Sequence, residues 1–147
     1  MSQPVLIFTN FPMSPSSNKM YASVNGRLIK SKEARNYEGT AQQWKWSHLQ
    51  KIKTFQDNYV NSTIQVDTYF VFRKDQFFTK KGTIRKLDFT NRIKAAHDML
   101  ATILNTDDSQ FMCGFFGKKY TEGPHDFIEY HITFIEPEKY EPVKLTF

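Results

Sequence analysis

Four aspartates crowd one stretch of the chain: Asp88, Asp98, and the adjacent Asp107 and Asp108. Two carboxylates about 4 Å apart repel by ~4 kcal/mol at an effective dielectric near 20, so such a cluster is best tolerated around a cation. Mg²⁺ suits it, because that ion takes one or two carboxylates and keeps positions open for water and phosphate. Ordinary structural roles also fit these residues: a helix cap for Asp88, a solvated helix position for Asp98, turn positions for Asp107 and Asp108.

The same stretch is basic. Between Arg73 and Lys94 lie eight cationic residues (Arg73, Lys74, Lys80, Lys81, Arg85, Lys86, Arg92, Lys94) against Asp75 and Asp88, a local balance of +6. The whole chain has 20 Lys and Arg against 15 Asp and Glu, so the remainder is close to neutral, at 12 against 13. One concentrated basic segment is the footprint of a site that neutralises phosphates. A solvated lysine-rich loop is the bland alternative. With carboxylates beside it, the combination matches the division of labour in metal-dependent nucleases, where cations deliver the phosphate backbone and a carboxylate-held metal generates hydroxide and stabilises the leaving oxygen.

Other chemistries find little support. There is no Gly-rich phosphate loop, no nucleophile elbow and no HExxH, and His48, His97, His125 and His131 show no paired metal-ligand spacing. The one cysteine, Cys113, forms no internal disulfide and no structural zinc set, and is expected to fill the core. Trp44, Trp46, Phe77 and Phe78 have the chemistry to stack on unpaired bases, although aromatic residues at such spacing more often belong to a core. No apolar run approaches the ~18 residues of a membrane span, and Met1 to Phe11 does not read as a signal peptide, so a cytoplasmic location is expected.

The elements that must position these residues follow from periodicity. At 147 residues, 39% of them hydrophobic, the chain is expected to form one domain over 1–136, with 137–147 as a tail or edge extension. Pro4 to Phe8 reads as a strand, and Asn25-Gly26 between two short runs marks a hairpin, since a type I′ turn needs positive φ at both positions. Ser31 caps a helix expected to run through Lys53. Thr63 to Arg73 alternates like a half-buried strand. A second helix, from about Thr90 to Leu104, gathers Ile93, Ala96, His97, Leu100, Ile103 and Leu104 on one side and Asn91, Lys94 and Asp98 opposite. His97 is thereby expected to be a satisfied core histidine, and Thr90 a helix cap. Gln110 to Tyr120 and Phe127 to Glu136 read as two strands forming an antiparallel hairpin. The fold class expected is α+β, a mixed sheet covered by two main helices.

The run Arg85-Lys-Leu-Asp-Phe-Thr-Asn-Arg-Ile-Lys-Ala-Ala-His-Asp-Met-Leu100, followed by Asp107-Asp108, resembles the RusA-type Holliday-junction resolvases, crossover junction endodeoxyribonucleases that are frequently phage-borne. Phe11-Pro-Met-Ser-Pro-Ser-Ser-Asn-Lys-Met-Tyr21 is similar to the short strand and Pro-Ser-Asn segment of that family. Together the two matches cover about half the chain in the right order. The resemblance implies Asp88, Asp107 and Asp108 as metal ligands and Asp88, Asp108 and Lys94 as catalytic residues. Asn18 would join Lys80, Lys81, Arg85 and Lys86 in contacting DNA. It also implies Mg²⁺, with Mn²⁺ as a substitute, a homodimer, a four-way DNA junction as substrate, no small-molecule cofactor, and a bacterial or phage source. Thr90 departs from the pattern, since the family commonly carries a second aspartate there. A Mg²⁺-dependent junction resolvase is therefore the main expectation. A branched-DNA binding protein with weak or lost nuclease activity is the alternative, and a small basic interaction domain with purely structural acids is the third.

Overall fold

The computed structural model describes residues 5–59, 63–85, 89–136 and 142. Asp88, Lys86 and the expected tail segment 137–147, Pro142 apart, lie outside the described residues, as does the side chain of Cys113.

The centre of the main sheet is β4 (Thr63–Arg73), in which Ile64, Val66, Thr68, Phe70 and Phe72 are buried on one face and Val71 on the other. It runs antiparallel to β7 (Phe127–Ile135), which is antiparallel to β1 (Val5–Phe11) at the edge. On its far side β4 pairs in parallel with β5 (Phe111–Cys113) and then β6 (Phe116–Thr121). The sheet is therefore mixed, as the sequence leads one to expect. A separate two-stranded sheet, β2 (Tyr21–Val24) and β3 (Arg27–Lys30), turns at Asn25 and Gly26, both with positive φ, as the Asn-Gly pair requires.

Two expectations about the strands need correction. The last strands do not form a hairpin with each other: β4 lies between β6 and β7. The 122–126 connection steps over the end of β4, where the Arg73 amide donates to the Asp126 carboxylate at 2.7 Å. β4 is the longest strand of the sheet, at 11 residues, and pairs along both edges, whereas alternation within β6 and β7 carries no information about what separates them. Gln110 to Tyr120 is also not one strand. Gly114 passes so close to β4 that a Cβ there would lie 1.8 Å from the Val66 carbonyl oxygen, and the register against β4 slips by one residue within β5, between Phe111 and Cys113. Asp67 accepts from the Phe115 amide (2.9 Å) and Thr68 donates its amide to the Phe115 carbonyl (2.8 Å), so the link between β5 and β6 keeps its hydrogen bonds.

The first long helix is broken in two, α1 (Lys32–Ser47) and α2 (Leu49–Tyr59). Ser31 caps α1 as expected, accepting from the Ala34 amide at 3.1 Å. The break falls at His48, whose backbone leaves helical geometry while its ring stacks on Trp44 at 4.0 Å and its Nδ1 meets the Trp44 carbonyl at 2.7 Å. After the one-turn α3 (Lys74–Phe77) comes α4 (Thr90–Leu104), with the expected bounds. Trp44 belongs to the core: its rings meet Phe8 and Phe11 edge-on and its indole N–H donates to the Thr9 carbonyl at 3.0 Å. Phe77 is buried too, and Phe78 half-buried, whereas Trp46 is 70% exposed.

Candidate functional site

The inner face of α4, Ala95, Ala96, Leu100, Ile103 and Leu104, is buried in the core, which holds its opposite stripe outward. Lys94 and Asp98, one turn apart on that stripe, form an ion pair at 2.9 Å. The helix stops at Asn105, which takes the left-handed conformation (φ 55°), and the Thr106 amide returns to the Ala101 carbonyl at 2.9 Å. This reversal leads the chain into a short 3-10 turn, Asp108–Gln110, and brings Asp108 back to Lys94 at 3.2 Å. One ammonium thus sits between two carboxylates.

The charges respond to each other. Its contacts with Asp98 and then Lys94 hold the Asp108 carboxyl below the ordinary aspartate range. Lys94 is correspondingly pushed up, by Asp98 first and Asp108 second. Beneath them His97 bonds through Nε2 to the buried Thr68 hydroxyl at 3.0 Å, its ring edge-on to Phe111, and burial lowers its pKa. It is the satisfied core histidine that its place on the apolar stripe implies.

Asp107 stands apart from the ion pairs: it caps the 3-10 turn, accepting from the Ser109 amide at 2.9 Å. Thr90 is the first helical residue and not the cap; Phe89 holds the cap position without a side-chain hydrogen bond. This overturns the capping expectation, the reason being that the helix begins one residue before Thr90 could place its hydroxyl over the free amides. Among the described residues no group of three or more His, Cys, Asp or Glu is arranged to hold a metal. The Asp98 and Asp108 pair is an oxygen-only donor set of the kind a hard cation such as Mg²⁺ takes, and Asp88 stands outside the described residues.

Of the DNA-binding expectations, Lys80 and Lys81 form the tip of a tight turn closed by Thr79 and Thr83, whose backbone bond is 2.7 Å, with Gly82 in the positive-φ position. Arg85 is pinned at the base, its amide on the Phe77 carbonyl (2.8 Å) and its Nε on the Phe78 carbonyl (3.1 Å). All three are exposed. Asn18 is exposed in the 3-10 turn Ser17–Lys19, which is fastened to the start of α4 by the Ser17 hydroxyl on the Asn91 carbonyl (2.9 Å).

Sequence reasoning treated Arg92 only as one more cation. It lies half-buried on a cleft of about 900 Å³ between residues 10–15, α1 and residues 125–127, and donates to the Ser14 carbonyl at 2.5 Å. Burial lowers its pKa, partly offset by Asp126. Only the periodic count that places Arg92 beside the apolar stripe of α4 hinted at this.

The fold and this cluster define an α+β domain whose acids and cations suit phosphodiester chemistry. The family model of Endodeoxyribonuclease RusA matches residues 10–130, and the chain belongs to that family. Membership implies a Holliday-junction nuclease. No curated protein matches the chain. Among solved structures, a 2C-methyl-D-erythritol 2,4-cyclodiphosphate synthase from Plasmodium vivax aligns at 9% identity and TM-score 0.32, covering 89% of this chain and 97% of its own. A second structure of that synthase gives 10% and 0.35 over 88% and 98%. A CDP complex of IspF from Plasmodium falciparum gives 13% and 0.30 over 91% and 96%. No helix among the described residues is long and apolar enough to cross a membrane.

Proposed function

We propose that the protein is a Mg²⁺-dependent, structure-selective endodeoxyribonuclease that resolves four-way DNA junctions by paired nicks, acting as a homodimer in a bacterial or phage-infected cytoplasm. The observation that carries the reading is the Lys94–Asp98–Asp108 cluster on the exposed stripe of α4, in a chain of the RusA family. Asp88 and Asp108 are the ligands assigned to the metal. Asp107, one of whose oxygens serves the Ser109 amide, is assigned as a further ligand and Asp98 as a close neighbour. Bound there, Mg²⁺, or Mn²⁺ in its stead, would supply the activated water and the charge that stabilises the leaving oxygen.

The remaining roles fall to the chain. Lys94, whose raised pKa keeps it cationic at any physiological pH, neutralises charge gathering on the attacked phosphate. Asp108, ionised well into the acid range, and Asp98 hold that ammonium in place. Lys80, Lys81, Arg85 and Lys86, with Asn18, are assigned to the DNA backbone. A two-fold dimer would present two such clusters to the two strands that must be cut.

A nicking assay on a four-way junction with Mg²⁺ tests this. Asp108→Asn should abolish cleavage while preserving or tightening junction binding, because repulsion between carboxylate and phosphate is relieved. Lys94→Ala should lower turnover far more than affinity. Cleavage undiminished in both variants would remove the assignment.

One feature favours a second reading. Thr90 carries a neutral hydroxyl where the family resemblance has a carboxylate, which fits a branched-DNA binding protein of weak nuclease activity. Junction binding without Mg²⁺-dependent nicking would establish it.

A further inference from the structure

The β2–β3 hairpin (Tyr21–Val24 and Arg27–Lys30) forms a sheet of its own, and all eight of its strand residues are exposed. A lone two-stranded hairpin is marginally stable in water, so this one depends on its base. There the Ser31 amide donates to the Met20 carbonyl (2.9 Å), the Ser31 hydroxyl bonds the Lys19 carbonyl, and Lys30 pairs with Glu38 at 2.5 Å. Four of its side chains are nevertheless large and apolar: Tyr21, Val24, Leu28 and Ile29, exposed by 54, 46, 73 and 41%.

The register sets their arrangement. Tyr21 faces Lys30 and Ser23 faces Leu28 across one face, while Ala22 faces Ile29 and Val24 faces Arg27 across the other. Each face therefore offers apolar groups flanked by a cation, and neither turns inward. No acidic residue occurs before Glu33, while Lys19, Arg27, Lys30 and Lys32 do. Such a surface complements a polyanion and repels a second copy of itself. Its root lies at the candidate site: Ser17 and Ser14 donate to the Asn91 and Arg92 carbonyls, each at 2.9 Å, in the first turn of the helix that carries Lys94.

We propose that the β2–β3 hairpin is a DNA-docking arm that lies in a groove of a duplex arm beside the junction. Arg27 and Lys19 contact phosphates, and Leu28 and Tyr21 rest on base edges and sugars. A two-stranded ribbon has the width that the major groove, about 12 Å across, admits. The inference rests on the reading of the protein as a DNA nuclease. It adds a second contact surface to the basic turn at Lys80 and Lys81.

The experiment uses the full chain with fluorescent four-way junction and linear duplex, without divalent metal, across a salt series, together with sedimentation of each variant. Leu28→Ser with Tyr21→Ser should weaken both DNAs about tenfold at unchanged salt slope, the equivalent of one well-buried apolar side chain. Arg27→Gln should lower the salt slope by about 1. Because these side chains are exposed, thermal midpoints should stay at the wild-type value, which separates lost contact from lost folding. Wild-type binding matched by every variant would overturn the arm while leaving the nuclease reading intact. A wild-type protein that binds neither DNA would overturn both. A change in oligomeric state without a change in DNA affinity would identify the hairpin as a contact between copies, and the arm would be discarded.

Discussion

Lys94 shows how little separates a structural ion pair from a reactive cluster: under the nuclease reading, the same ammonium that bridges Asp98 and Asp108, its side chain 75% exposed, is the group that meets the phosphate. Thr90 tests how complete the site is. It stands at the first residue of α4, where a carboxylate would face the same cluster and gain from the positive end of the helix dipole. Thr90→Asp is expected to raise nicking at limiting Mg²⁺, read as a lower half-saturating metal concentration than the wild type's; indifference of rate and binding would mean that Thr90 faces away from the metal. His97 carries a separate prediction. Burial lowers its pKa, so the unfolded chain takes up a proton at higher pH than the folded one does. The stability tied to neutral His97 is therefore full above about pH 6.5 and declines as pH falls below that value toward the folded pKa. Thermal midpoints at pH 7.5 and 5.5 should differ more for wild type than for His97→Gln, and equal differences would contradict the assignment.

The Gly114–Phe115 link between β5 and β6 is the element on which the edge of the sheet depends. Gly114 has no room for a Cβ against Val66, so Gly114→Ala must push the two strands apart. A loss of about 3 kcal/mol is expected, at the upper end for overpacking, seen as an earlier denaturant midpoint. Asp67→Ala leaves the Phe115 amide without its carboxylate acceptor, at a cost of about 1–2 kcal/mol. Since Phe111 and Phe116 both pack against His97, a shift of this edge would also disturb the floor of the Lys94 cluster. An Asp67→Ala protein of wild-type stability would show that water replaces the carboxylate.

For the whole molecule the question is where a nucleic acid lies. Two basic features are separate in sequence, the Lys80–Lys81 turn with Arg85 and the acid-free stretch before Glu33, and the second is fastened to α4 through Ser14 and Ser17. Under the nuclease reading, Lys80→Gln, Lys81→Gln and Arg85→Gln should each weaken junction and duplex alike. Each should also lower the slope of log affinity against log salt by roughly 1. An unchanged slope in the triple variant would reduce that turn to a solvated loop.

Local signals were legible because they are local. The Asn25-Gly26 turn, the Ser31 cap, the alternation of β4 and the bounds of α4 each rest on interactions within a few residues, and the structure reproduces all of them. The Lys94–Asp98 pair was implicit in the one-turn spacing that put both on the polar stripe. What tertiary structure decided was adjacency across long separations. The insertion of β4 between β6 and β7 depends on which strand pairs along both of its edges, a comparison between strands that no single strand's periodicity contains. The break at His48 reflects a stacking contact with Trp44 against the core, invisible in a stretch free of proline. The return of Asp108 to Lys94 depends on the left-handed turn at Asn105, and the burial of Arg92 on an N-terminal segment some eighty residues away. Sequence determines the period of each element, because backbone geometry repeats within it. Which elements meet is settled by how their apolar faces compete for the same core.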